Sequence, residues 1–299
     1  MTRSVSTVGI VMLLAVSVGW GVSWPIFKTV LAEVPPWTFR ALCVGVGGLA
    51  LLVIARLSGA SLRVGRAEIG PLVVLSLFNV TGWNLLSVYG VTLLPSGRAA
   101  IIGFTMPLWA VVFSALLLDE RITRAKAVGL VIGLAGLVAL LSEDVLALRS
   151  APVGALFMLL AATSWGLGTV LVKYYRFSQP SIVLAGWQLL LGGVPIYLGA
   201  LSLEAGEVRM PSLWPSLALV YMIVVCFVLC YWGWFKVLTW LPAGVAAYGL
   251  LLVPVIGVAS GAAMLGEPIG WPELSALVLI VAAIATVVLP EARAAPAVT

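Results

Sequence analysis

Residues 94–120 read LPSGRAAIIGFTMPLWAVVFSALLLDE, and residues 241–267 read LPAGVAAYGLLLVPVIGVASGAAMLGE. When the two stretches are aligned without gaps, 10 of their 27 positions are identical, and both stretches end on a glutamate, Glu120 and Glu267. A composition as apolar as this one would give roughly two to four identities by chance. The chain therefore contains an internal duplication.

The duplication extends upstream of these two stretches. Three further motifs repeat at one common offset: Trp20-Gly21 with Trp165-Gly166, Lys28 with Lys173, and Gly47-Gly48 with Gly192-Gly193. Matches this far apart show that the repeated unit is nearly half of the chain. We therefore predict two equivalent units, residues 8–141 and residues 152–290.

The composition places both units in a membrane. Hydrophobic residues make up 63% of the chain and charged residues 9%, whereas soluble domains have roughly 45–50% and about 25%. The apolar runs are long and do not alternate with polar residues, which favours helices over a transmembrane barrel. Ten runs approach the length of about 20 residues that a spanning helix needs: 8–31, 37–57, 69–92, 95–117, 124–141, 152–176, 180–202, 211–238, 242–265 and 271–289.

The duplication has a consequence for topology. Each unit holds five predicted helices, and an odd number makes the second unit enter the membrane in the opposite sense. We therefore predict an all-α membrane protein whose ten transmembrane helices form two inverted five-helix repeats. Such repeats place a binding site near the midplane and permit alternating access. Because one chain supplies both halves of the site, a monomer is plausible.

The basic residues predict the orientation of the helices. If the N-terminus lies in the cytoplasm, 11 of the 16 basic residues flank cytoplasmic helix ends, as the positive-inside rule requires. Both termini are then cytoplasmic. The remaining five fall on the opposite surface: Lys28, Arg40, Arg98, Arg149 and Arg209. The basic residues form no stripe or block, so nucleic acid is not an expected partner.

Few residues are available for catalysis or metal binding. The chain has no histidine, and no Asp or Glu lies near the middle of a predicted span, so neither an enzyme, a metal nor a cofactor is expected. Without a buried acid, uncoupled facilitated diffusion is favoured over proton antiport. No filter loop or polar ring suggests a channel. Cys226 and Cys230 lie four residues apart on one helix face. They could form a redox pair or serve as small packing residues.

The two stretches quoted above, together with the repeated Trp-Gly pair, resemble EamA-type carriers of the drug/metabolite transporter superfamily. Within that family the chain is most similar to bacterial aromatic amino acid exporters. The resemblance implies ten helices, the bacterial inner membrane, and a central cavity lined by helices 1, 3, 4, 6, 8 and 9. It implies export of small metabolites, foremost aromatic and other neutral amino acids. The alternative is a multidrug or nucleoside/purine exporter, with or without proton coupling.

Polar and aromatic residues inside the predicted spans are the candidates for substrate binding. Asn79 is favoured because it lies one turn before Trp83 on the same helix face; its alternative role is an interhelical hydrogen bond. Trp20 and Trp165 are equivalent in the two units and would face each other across the cavity. The full candidate set is Trp20, Ser23, Trp24, Asn79, Trp83, Thr105, Trp165, Thr169, Trp187 and Tyr248.

Three prolines inside the spans are candidate hinges: Pro25, Pro107 and Pro254. Each removes a backbone hydrogen bond and bends its helix. Pro107 and Pro254 occupy the same position in the two copies, so they predict a matched pair of bends. The bends could serve gating or could only curve the helices around a cavity.

Overall fold

The computed structural model describes residues 7–146, 151–240 and 243–294, and every regular element in these ranges is a helix. Within these ranges, the structure describes the backbone but not the side chains at 141–146, 243–251, 287–294 and a few other positions. Each predicted segment falls on a helix whose ends differ from the prediction by at most five residues. The helices are α1 Thr7–Leu31, α2 Pro36–Leu57, α3 Arg66–Leu93, α4 Ser96–Leu117, α5 Arg124–Leu146, α6 Ala151–Tyr175, α7 Ser181–Leu203, α8 213–240, α9 Ala243–Leu265 and α10 Trp271–Ala294.

The helices have the length and the surface of membrane-spanning segments. Among the described residues, seven are long and apolar enough to cross a bilayer: α1 to α4, α6, α7 and most of α8. Shorter apolar stretches lie in α9 and α10. Large apolar side chains point outward along the bundle, among them Leu57, Leu116, Val131, Leu201 and Val278. Such a surface is stable only against lipid, so the protein is a multi-pass membrane protein.

The helices that pack together are equivalent in the two units. α1 packs on α8 and α9, and α6 packs on α3 and α4. α2 packs on α7, and α5 packs on α10. Each of these six pairs joins a helix of the first unit to a helix of the second. The two units therefore form one bundle with a shared core.

The repeated Trp-Gly motif marks two equivalent close contacts between the units. A Cβ atom at Gly21 of α1 would lie 2.6 Å from Ile256 Cβ of α9. A Cβ atom at Gly166 of α6 would lie 2.7 Å from Trp109 Cβ of α4. Ile256 and Trp109 occupy the same position in the two aligned stretches. Glycine is required at both positions because the paired helices leave no room for a side chain.

Three helices depart from regular geometry. α3 is π-helical over Leu77–Gly82, and α8 is π-helical over Met222–Cys230, at a similar place in each unit. α4 is interrupted at Phe104 and Thr105, directly before Pro107, where Leu108 N donates to Thr105 O at 2.9 Å. The helices that contain Pro25 and Pro254 continue without interruption. The sequence therefore predicted the irregularity near Pro107, but it predicted neither π segment.

Candidate functional site

One group of aromatic side chains joins α1 to α8. The Trp20 ring centroid lies 5.9 Å from that of Tyr231, edge to face, and 6.2 Å from that of Trp234. Trp20 Nε1 donates to the carbonyl oxygen of Cys226 at 3.3 Å, within the π segment. Phe227 stacks on Tyr231 with centroids 5.9 Å apart. Aromatic surface at this contact suits a flat apolar ligand group.

A second aromatic pair joins α3 to α6. Trp83 and Trp165 meet edge to face with ring centroids 5.2 Å apart. Trp20 and Trp165 therefore lie in two separate groups, and each contacts the π-containing helix of the other unit rather than its own equivalent. The sequence placed both tryptophans in the site but could not reveal these partners.

Asn79 forms an interhelical hydrogen bond. Its Nδ2 donates to Gln188 Oε1 on α7 at 2.8 Å, and its Oδ1 is buried without a partner. It also packs tightly against Gly168 of α6. Trp83, one turn later, also contacts α6, at Trp165. Because the intervening backbone is π-helical, the two side chains are not spaced as on a regular α-helix.

Three hydroxyl candidates bond within their own helices. Ser23 Oγ donates to Trp20 O at 2.6 Å, Thr105 Oγ1 to Ile102 O at 2.7 Å, and Thr169 Oγ1 to Trp165 O at 3.0 Å. Such bonds satisfy a hydroxyl inside a membrane helix without a partner helix. Their lone pairs can still accept a hydrogen bond.

The remaining candidates lie in different surroundings. Trp24 is 6% exposed and packs between Gly103 of α4 and Gly257 of α9. Trp187 Nε1 donates to the carbonyl oxygen of Leu62, in the connection between α2 and α3, at 2.9 Å. This contact lies at the end of the bundle and anchors a loop. Tyr248 belongs to the part of α9 whose side chains lie outside the description.

The cysteine pair is packed in the core. Cys226 and Cys230 are buried free thiols whose sulfur atoms lie 3.8 Å from Gly19 O and 3.9 Å from Val16 O, on α1. Small thiols there let α1 and α8 approach closely. This arrangement fits the packing role rather than a redox pair.

Sequence reasoning missed Arg40. It was assigned to the outer surface with the other basic residues, but its side chain is only 3% exposed and lies in the core beside Phe27 and Ser87. Phe27 of α1 and Ser87 of α3 pack against the fifth residue of α2 and cover it. Its position next to Phe39 in the sequence was the available signal.

One end of α4 is closed by a glutamate from the second unit. Glu267 accepts hydrogen bonds from Ser96 N at 2.6 Å, Ser96 Oγ at 2.8 Å and Gly97 N at 3.1 Å. Lys28 Nζ lies 3.5 Å from the same carboxylate and donates to Leu94 O at 2.9 Å. A carboxylate at a helix N-terminus satisfies free N–H groups and complements the helix dipole.

The opposite end of α4 has the repeat-equivalent pair. Glu120 follows the helix, accepts a hydrogen bond from Lys173 of α6, and lies 3.4 Å from Lys126 Nζ. Glu120 and Lys173 correspond in the repeat to Glu267 and Lys28. The 22 residues of α4 separate the two pairs by about 33 Å, roughly the thickness of a bilayer core.

A known family has the same internal repeat. The matched helix contacts and the Lys–Glu contacts at the two ends of α4 are consistent with it. The model of the EamA-like transporter family matches residues 7–142 and again residues 152–289. The chain belongs to this family. It is therefore a transporter of the drug/metabolite transporter superfamily, and the family model matches it twice.

Several proteins resemble this EamA transporter over most of its length. The uncharacterized transporter YvbV of Bacillus subtilis is 32% identical over 90% of this chain and 87% of its own. A probable amino-acid metabolite efflux pump of Salmonella typhimurium is 30% identical over 91% of each chain. A solved crystal structure, 22% identical, superposes with a TM-score of 0.67 over 96% of this chain and 100% of its own, which supports the fold.

The Glu120 pair of this EamA transporter gives a pH prediction. The hydrogen bond from Lys173 lowers the pKa of the Glu120 carboxyl below its usual value, against the opposing effect of burial. A lowered pKa adds stability above the unfolded value and loses it as pH falls through the folded value. Glu120→Gln should therefore cost about 1 kcal/mol at pH 7, and this difference should shrink steadily as pH falls below roughly 4.3, the ordinary pKa of a glutamate.

Melting of the purified protein in detergent, wild type against variant from pH 7 to pH 3.5, measures this difference. The neighbouring Asp119 has a φ of 53° and is exposed, a conformation that Asn accepts readily. Asp119→Asn is the matched control and should behave as wild type. A gap between Glu120→Gln and wild type that stays constant with pH would refute the assignment.

Proposed function

We propose that this transporter exports small metabolites, foremost aromatic and other neutral amino acids, across the bacterial inner membrane by alternating access. The observation that carries the proposal is the pair of repeat-equivalent Lys–Glu contacts at the two ends of α4. A carrier must close one end while it opens the other, and two equivalent closures at opposite ends provide for this. The relative YedA of Escherichia coli is named an inner membrane transporter.

The same contacts support two inverted five-helix repeats with ten spans. The bias of the basic residues, 11 of 16 at one set of helix ends, supports both termini in the cytoplasm. Lys28, near the end of α1, lies at the start of α4, whereas Lys173, near the end of α6, lies beyond its end. Equivalent helices of the two units thus finish at opposite ends of the bundle. Since each site residue comes from one chain, a monomer suffices.

The aromatic groups support an amino acid with a flat or apolar side chain. Trp20 with Tyr231, and Trp83 with Trp165, provide ring surface on the helices that pack across the two units. Ring contacts add roughly 0.5–1.5 kcal/mol each beyond the burial of apolar area. Two relatives carry the name probable amino-acid metabolite efflux pump.

Uncoupled movement down the substrate gradient fits the placement of the acids. Among the described side chains, all acids lie at helix ends or in connections, such as Glu33, Glu68, Glu120, Glu204 and Glu267. Each of these five carboxylates accepts hydrogen bonds from a neighbouring element there. Proton antiport usually needs an acid within the span, which can bind either proton or substrate.

Purified protein in liposomes tests the proposal with radiolabelled phenylalanine, leucine, uridine and a cationic dye. We expect saturable amino acid uptake and counterflow, without uphill movement under a pH gradient alone. Preferential uptake of uridine or dye would establish the alternative substrate classes. Uptake without saturation would contradict a carrier, and uphill transport driven by the pH gradient would contradict the uncoupled mechanism.

A pair of tryptophan variants sharpens this experiment. Trp20→Ala removes the centre of the α1–α8 aromatic group and should raise the KM for phenylalanine roughly fivefold or more. Trp214 is 74% exposed at the start of α8, and Trp214→Ala should leave KM unchanged. Equal KM values for the two variants would remove Trp20 from the proposed site.

A further inference from the structure

Arg40 is a buried cation whose hydrogen-bonding capacity is only partly used. Its Cζ atom lies 3.7 Å from the Phe27 ring centroid and 5.0 Å from that of Phe39. Its Nη2 donates to Ser87 Oγ on α3 at 3.1 Å, and its Nε is buried without an acceptor. The aromatic rings lie over the face of the guanidinium, and its buried Nε–H is a donor without an acceptor among the described residues.

Among the described residues, no carboxylate forms an ion pair with this cation. The ion pairs within the described ranges join Lys28, Arg98, Lys126 and Lys173 to glutamates at helix ends, and Arg40 takes part in none of them. The titratable groups within electrostatic range of Arg40 are the thiols of Cys43 and Cys226 and the phenol of Tyr231, which are ordinarily neutral at pH 7. A buried charge without a counterion is costly, so the position favours an anion from outside the chain.

A free acceptor lies close to this free donor. Asn84 is 2% exposed, its Nδ2 donates to Val80 O at 2.8 Å, and its Oδ1 is buried without a partner. Asn84 and Ser87 are three residues apart on α3 and therefore neighbours on one helix face. Ser87 Oγ also lies 3.3 Å from Asn84 O and connects the two residues. A charged donor next to a neutral acceptor is complementary to a carboxylate that carries a nearby N–H group.

We infer that Arg40, with Ser87 and Asn84, forms the subsite for the carboxylate of the transported molecule. The carboxylate accepts from the free Nε edge of Arg40, and Asn84 Oδ1 accepts from the substrate amine. Tyr231 lies within electrostatic range of Arg40 and meets Trp20 edge to face, so the side chain of the same amino acid is assigned to the Trp20 aromatic group. The inference rests on the proposed function and adds a required chemical group: the substrate is a carboxylate.

Three probes that share one ring test the inference by equilibrium binding to purified protein: phenylalanine, phenylalaninamide and 3-phenylpropanoate. Wild type should bind phenylalanine roughly tenfold or more tightly than the amide, because a charge-assisted hydrogen bond is lost. Arg40→Gln should reduce this ratio to about one. Arg40→Lys should retain part of it, since lysine keeps the charge but not the planar fork.

The controls separate a binding role from a structural one. Arg56 is exposed near the end of the same helix, and Arg56→Gln should keep the wild-type ratio. The ratio of the affinities for phenylalanine and phenylalaninamide does not change when only part of the protein is folded. If Arg40→Gln does not fold, the wild-type comparison decides, and equal binding of acid and amide overturns the inference. An unchanged ratio in a folded Arg40→Gln variant also overturns it.

The outcomes also distinguish this inference from the proposed function. A wild type that transports amino acids yet binds acid and amide alike refutes the carboxylate subsite alone. A wild type that transports no amino acid but binds 3-phenylpropanoate through Arg40 supports the subsite and refutes amino acid export.

Discussion

Replacing Gly166 with alanine is expected to destabilise the protein by about 3 kcal/mol, which lowers the melting temperature by roughly 5–10 °C. The new Cβ would lie 2.7 Å from Trp109 Cβ, 2.9 Å from Met106 O and 3.1 Å from Ala110 N. Two of these three atoms belong to the backbone of α4, which cannot move aside as a side chain does. The contact between α6 and α4 must therefore open.

The equivalent glycine and an open glycine give a graded comparison. At Gly21 the new Cβ would meet the Ile256 side chain at 2.6 Å but only one backbone atom, Val253 O, at 3.3 Å, so Gly21→Ala should cost less. Gly70 in α3 has open space around its Cα, and alanine there should raise stability slightly through helix propensity. Melting of the three purified variants in one detergent checks this order. A Gly166→Ala variant as stable as Gly70→Ala would show that α4 and α6 are not in close contact.

The sequence predicted the helices well but only part of the candidate site. Long apolar runs identify helices because the bilayer requires about 20 apolar residues for each span. The repeated Trp-Gly motif was visible, but the helix that each glycine contacts depends on packing between the two units. The contact partners of Gly21 and Gly166 therefore became known only from the structure.

The two π segments limited what the sequence could predict about the site. Neither Leu77–Gly82, which reads LFNVTG, nor Met222–Cys230, which is apolar throughout, contains a proline or a charge, so no pattern marks the extra residue in the turn. A π turn rotates every later side chain around the helix axis. Asn79 and Trp83, expected on one face, both contact α6, at Gly168 and Trp165, and the Asn79 amide also donates to Gln188 on α7.

Glu267→Ala is expected to have the second large effect, a loss of about 3 kcal/mol. The alanine would leave the N–H groups of Ser96 and Gly97 without their acceptor, at a helix start where both residues are buried. A buried donor without a partner costs about 1–3 kcal/mol. The carboxylate side chain is only 13% exposed, so water would replace it poorly.

The relative effects of four variants test which contact of Glu267 matters. Glu267→Gln keeps one acceptor oxygen and should cost about half as much as alanine. Ser96→Ala removes one hydroxyl donor and should cost about 1 kcal/mol. Lys28→Met should cost less still, since the Lys28 side chain is 36% exposed and exposed ion pairs contribute little. Glu207, exposed in a connection, provides the control Glu207→Ala, with an expected change below about 0.5 kcal/mol.

Thermal melting in detergent ranks these variants, and the ranking decides between two explanations of the contact. If Glu267 acts by closing the N-terminus of α4, its own replacement dominates and Lys28→Met is mild. If the ion pair were the main stabilising contact, Lys28→Met would match Glu267→Ala and Ser96→Ala would have no effect. The first outcome would place the closure in the hydrogen bonds between the second unit and α4, which must break for this end of the carrier to open.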